Sequence, residues 1–153
     1  MTTVQPVPTR RRMARRAPRG ARRLGYLIGA AVNVALLWLA LVAPGWRAVP
    51  FITDEARTVL GIVTVAWLAG VAVNVVLLAW DPPGLKRVGD ALTGALACAV
   101  SLQLLTVFPF DFGAAGWETA LRILLVIGAV GAAVSVVVNL VQLVVKPWNE
   151  AGP

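Results

Sequence analysis

The sequence contains no histidine and only one cysteine, Cys98. Histidine is the commonest general base and metal ligand, so its absence excludes the usual histidine-based catalytic and metal sites. A lone cysteine cannot form a disulfide within the chain, and a thiol inside an apolar segment is expected to be unreactive. We therefore predict no catalytic, metal or cofactor-binding residues, and we interpret Cys98 as a small packing residue.

Charged residues are scarce as well: they make up 14% of the 153 residues, whereas hydrophobic residues make up 59%. Soluble proteins average about a quarter charged residues, and a soluble fold of this length could not bury so much apolar surface. An ionisable residue in the middle of a membrane span usually marks a proton or ion route, and the long apolar segments carry no acidic or basic residue there. The composition therefore predicts an integral membrane protein.

Four apolar segments are each long enough to cross a bilayer. We predict helices over about 24–43, 57–80, 88 or 91 to 107, and 117 or 121 to 145. The first is too long for a cleaved signal peptide, so we expect it to be retained. The predicted organisation is a disordered arginine-rich tail over 1–23, a four-helix transmembrane bundle over 24–147 and a short tail over 148–153.

The second half of the chain resembles the first. A shift of 65 positions aligns residues 22–82 with residues 87–147 without a gap, and it matches Arg57 with Arg122 and Asn74 with Asn139. Because apolar residues match by chance in any membrane helix, these rarer matches carry the argument. The predicted fold class is an all-α integral membrane protein whose four transmembrane helices form two tandem parallel helical-hairpin repeats.

Basic residues are concentrated on one side of the predicted spans. Eight arginines lie between positions 10 and 23, and Lys86, Arg87 and Lys146 fall on the same side. The positive-inside rule then places both termini in the cytoplasm. The preference for arginine over lysine is typical of a GC-rich bacterial genome, so we expect the bacterial cytoplasmic (inner) membrane. The tail would hold anionic lipid headgroups, at about 1 kcal/mol per charge, rather than nucleic acid.

Small residues and asparagines recur four positions apart on the predicted helices. These are Gly29 and Asn33, Gly70 and Asn74, and Gly131, Ser135 and Asn139. Small residues let helix backbones approach closely in lipid, and an asparagine can hydrogen-bond to a neighbouring helix. We interpret the rows as interhelical packing seams. The alternative is a polar path for an ion or a small solute.

The predicted outer side carries two repeat-related arginines, Arg57 and Arg122. One hypothesis is that they flank an anion-binding vestibule. We favour the other, in which they reach headgroup phosphates or pair with Asp54 and Glu118. The segment 108–112, with the sequence FPFDF, is expected either to dip into the outer leaflet or to dock a partner.

The sequence shows no nucleophile–base pair, metal cluster or phosphate loop. We therefore expect a non-enzymatic membrane protein, an accessory or scaffold subunit that packs against another membrane protein. The expected protein partners are another membrane protein or, by self-association, a second copy of this chain. The alternative is a small oligomeric channel or transporter with a polar path lined by the asparagines. Asparagines that face one wet cavity would favour the channel, whereas asparagines in a tight seam would favour the subunit.

Overall fold

The structure, a computed structural model, describes residues 18–145. It contains four long helices, α1 (Arg19–Leu41), α2 (Ala56–Ala79), α3 (Pro83–Val107) and α4 (Ala115–Val145). All four are long and apolar enough to cross a membrane. The prediction of an all-helical, multi-pass membrane protein is confirmed at this level. The predicted tail over 148–153 and all but the last six positions of the tail over 1–23 lie outside the described residues.

Helices α1 and α3 begin at least five residues earlier than the sequence predicted. Helix α3 begins at Pro83 rather than near 88, because proline is favoured in the first turn, where its missing N–H costs no hydrogen bond. Helix α1 begins at Arg19, inside the predicted tail, because arginine is a good helix former and Pro18 precedes it as N-cap. The basic residues at these helix starts therefore extend the helices instead of interrupting them.

The helices pack in chain order as an open row. Each helix contacts its neighbour in sequence, and among the described residues α1 contacts neither α3 nor α4. Neighbours run antiparallel: in α3 the amide of Gln103 donates to the Thr58 carbonyl of α2 at 3.2 Å, and Gly89 faces Val73 at the other end. The predicted bundle is therefore not closed. In lipid the outer apolar faces are already solvated by acyl chains, so little drives α1 onto α4.

The two connections at one end of the row, here called the loop end, pair with each other. Thr53 N–H donates to the Pro109 carbonyl at 3.0 Å, and Asp111 N–H donates to the Phe51 carbonyl at 2.9 Å. Phe51 and Phe112 stack with their centroids 5.0 Å apart. The FPFDF segment is thus held by the α1–α2 connection within this chain, and Pro109 is fully buried there.

At the opposite end, here called the terminal end, a polar cluster ties α1 to the end of α2. Nε of Arg22 lies 2.7 Å from a carboxylate oxygen of Asp81, and the Tyr26 hydroxyl donates to the other oxygen at 2.8 Å. The Arg22 and Asp81 side chains are 18% and 16% exposed, so solvent screens this pair less than a surface pair. The cluster fixes how far α1 can slide along α2.

The Asp81→Ala substitution tests this anchor. It removes two charge-assisted contacts to a mostly buried carboxylate, so we expect the free energy of unfolding to fall by about 2–3 kcal/mol. The matched control is Asp54→Ala, because Asp54 pairs with Arg57 at 3.4 Å with side chains 84% and 60% exposed. That control should cost less than about 1 kcal/mol. Equal losses in detergent unfolding would contradict the anchor.

Candidate functional site

The small-residue rows of α1 and α2 meet face to face. A Cβ atom on Gly29 would lie 2.7 Å from Oδ1 of Asn74, and one on Gly70 would lie 2.7 Å from Oδ1 of Asn33. Each glycine therefore packs against the asparagine side chain of the opposite helix, and the contact is reciprocal. We call these four residues the α1–α2 seam. A side chain at either glycine would require the opposing asparagine to move.

The asparagines of the seam donate within their own helices. Nδ2 of Asn33 donates to the Gly29 carbonyl at 2.7 Å, and Nδ2 of Asn74 donates to the Gly70 carbonyl at 2.7 Å. We had expected these amides to bond across to a neighbouring helix. The carbonyl four residues earlier is within reach of a short side chain, so the donor is satisfied locally while the amide oxygen faces the opposing glycine.

The α3–α4 contact differs from the α1–α2 seam. Gly94 faces Ser135 and Val136, whereas the 65-residue correspondence would place Asn139 opposite it. The difference is about four residues, or one helical turn. Cys98 and Ser135 occupy the positions that correspond to Asn33 and Gly70, so the reciprocal glycine–asparagine contact cannot form here.

The three predicted packing residues on α4, Gly131, Ser135 and Asn139, have different environments. Nδ2 of Asn139 donates to the Ser135 carbonyl at 2.8 Å and lies 3.3 Å from its hydroxyl, within the same helix. Gly131 is exposed, and a Cβ atom built on it would meet no atom within 4 Å. Ser135 thus belongs to the α3–α4 contact, whereas Gly131 faces away from it.

Arg57 and Arg122, the two arginines that the 65-residue shift aligns, lie over aromatic rings at the loop end. The Arg122 guanidinium is 3.6 Å from the centroid of Phe108, and that of Arg57 is 6.0 Å from the centroid of Trp46. Arg57 also pairs with Asp54, as we favoured. The Glu118–Arg122 pair is not formed, because the Arg122 side chain covers Phe108 instead. Phe108 is the C-cap of α3 and has a left-handed backbone φ of 44°, a strained value for a bulky residue.

Sequence reasoning missed the cluster of Arg22, Tyr26 and Asp81. The available signal was the spacing of four between Arg22 and Tyr26, which places both on one face of α1, with Asp81 just after the second span.

Near this end a groove of about 380 Å³ lies between α3 and α4, lined by Asp90, Thr93 and Ser135 among others. Asp90 is already paired with Lys86.

No group of three acidic, cysteine or histidine side chains within residues 18–145 has the arrangement of a metal site. Comparison with protein-family models, curated proteins and solved structures gives no match to this chain. The function is therefore argued from the geometry of the helices and loops.

The Gly29→Ala substitution tests the α1–α2 seam. The new methyl group must displace Asn74, which is held by its bond to Gly70, so we expect a loss of about 1–3 kcal/mol in the free energy of unfolding. Gly25→Ala is the matched control on the same helix, because no atom lies within 4 Å of that position. It should be neutral or stabilise by about 0.5–1 kcal/mol.

A second substitution shows whether Gly29→Ala lowers stability through the contact with Asn74 or through a general effect on α1. If the methyl group is harmful because of Asn74, then Asn74→Ala should remove most of the additional cost of Gly29→Ala in a double-mutant cycle. Strictly additive losses would show that Gly29 and Asn74 do not interact.

Proposed function

We propose that this protein is a non-enzymatic accessory or scaffold subunit that packs against another membrane protein through the free face of α4. In this proposal the helices form two tandem parallel hairpins in a bacterial cytoplasmic membrane, with both termini in the cytoplasm. The observation that carries the proposal is that α4, among the described helices, packs only on α3 and leaves a long apolar stripe uncovered.

The stripe has the spacing of a helix–helix contact. Its members are Leu124, Ile127, Gly131, Val134 and Val138, separated by three or four positions and hence on one side of the helix. The four large residues are 45–63% exposed. Gly131 lies in the middle, where a glycine allows a second backbone to approach closely. We call these five residues the α4 stripe.

The alternative function, a channel or transporter, needs the asparagine amides to face a continuous polar path. Asn33 and Asn74 instead donate to their own helices and press on opposing glycines in the α1–α2 seam. Asn139 bonds to Ser135, which contacts Gly94 of α3. These contacts favour the packing role that the sequence analysis preferred, and the proposal therefore assigns the asparagines to structure.

The Gly131→Leu substitution tests the proposal. Among residues 18–145, no atom of another part of the chain lies within 4 Å of a Cβ atom built at this position, so the variant should fold normally while blocking close approach of a partner. We expect a stoichiometric partner, captured with the tagged protein from native membranes in mild detergent, to be lost. Native mass spectrometry of the eluate measures the stoichiometry.

Gly61→Leu on α2 is the matched control, because this glycine is also exposed and has no atom within 4 Å of its Cβ position. It should retain the partner. A homo-oligomer without any second protein would contradict the accessory role, and equal losses in both variants would contradict the α4 stripe as the docking face.

A further inference from the structure

An apolar groove of about 320 Å³ opens at the loop end between α1, α2 and the two connections. Leu36 and Leu39 of α1 form one wall, and Val63 and Trp67 of α2 form the other. Trp46 of the α1–α2 connection also lines the groove, and we call the end of the groove at Trp46 its mouth. Leu39 remains 51% exposed. The volume is within the range of about 300–1,000 Å³ that small-molecule sites occupy.

The depth of the groove matches one leaflet of a bilayer. It is lined along α2 from Ala56 to Trp67, a distance of about 16 Å at the helical rise of 1.5 Å per residue. The hydrocarbon core of a bilayer is about 30 Å thick, so the groove extends through about half of it. An acyl chain that enters from the leaflet at the loop end would therefore fill it lengthwise.

Two positive charges stand at the mouth of the groove. The guanidinium carbons of Arg47 and Arg57 lie 5.0 and 6.0 Å from the centroid of Trp46. Within the described residues no carboxylate lies within 4 Å of Arg47, and Arg57 has only the exposed partner Asp54. An arginine that is not neutralised by the protein can bind a phosphate oxygen bidentately. The mouth is thus positive and the interior is apolar.

We propose that this groove is a binding site for one anionic phospholipid of the leaflet at the loop end. One acyl chain lies along α2 as far as Trp67, and the headgroup phosphate is bound by Arg47 and Arg57 above Trp46. Charge and depth together select this occupant, because a neutral apolar molecule would leave both guanidiniums unused. The site is separate from the α4 stripe and does not depend on the accessory role.

The test is a lipid titration of the full-length protein in mild detergent, followed by native mass spectrometry. Phosphatidylglycerol is compared with phosphatidylcholine carrying the same acyl chains, and phosphatidylglycerol should bind more tightly. Each arginine near a membrane surface contributes about fivefold to anionic-lipid affinity, so the double variant Arg47→Gln/Arg57→Gln should bind phosphatidylglycerol about 25-fold more weakly.

A second variant tests the groove without changing its charge. Val63→Phe narrows the interior and should weaken the binding of both lipids by a similar factor, because the acyl chain can no longer lie along the groove. The matched charge control is Arg122→Gln, because Arg122 also lies on an aromatic ring at the loop end, but that ring, Phe108, does not line the groove as Trp46 does. It should leave the affinity unchanged. Thermal unfolding of each variant verifies that it is folded.

Three results would overturn the proposal. Equal affinity for the two lipids in the unsubstituted protein would remove the role of the arginines. An equal fall in Arg122→Gln would show that general surface charge is responsible. Lipid binding unaffected by Val63→Phe, or a dimer that excludes lipid and dissociates in that variant, would mean that no acyl chain occupies the groove.

Discussion

Acyl chains solvate an apolar side chain about as well as another helix does, so membrane helices associate through close backbone contact and hydrogen bonds. In this protein α1 and α2 meet that constraint where Gly29 and Gly70 each lie against the asparagine of the other helix. The cluster around Asp81 fixes the same pair at the terminal end. This pair therefore provides the rigid part against which α3 and the loops are placed.

Helices α3 and α4 lack the reciprocal glycine–asparagine contact, and they pack differently. Ser135 and Cys98 replace the glycine and asparagine that would complete a second seam, and α3 and α4 pack about one turn out of the corresponding register. The helices form an open row in which the described part of α1 does not reach α4. Two apolar surfaces remain uncovered as a result, the α4 stripe and the groove beneath Trp46, and both proposals concern what covers them.

Much of the fold could be predicted from the sequence, because spans without charge and breaks at proline are strong local signals. The spacing of Gly29 and Asn33, and of Gly70 and Asn74, also indicated the faces by which α1 and α2 meet. The side of α4 that Gly131 faces could not be predicted, since spacing places residues on one face without indicating which helix lies against it. The Arg122–Phe108 contact was missed because it depends on how the FPFDF segment folds back.

The open row is the central claim, since a closed bundle would cover the face of α4 that the proposed function uses. The open row can be tested in lipid by electron paramagnetic resonance, which measures the distance between two spin labels. The labels are attached to cysteines introduced into the Cys98→Ala protein. Labels at Val34 and Leu68 report the packed α1–α2 pair, and labels at Val34 and Val137 report α1 and α4. The open row predicts a clearly longer distance for the second pair. Equal distances, both near the spacing of about 10 Å between packed helices, would contradict it.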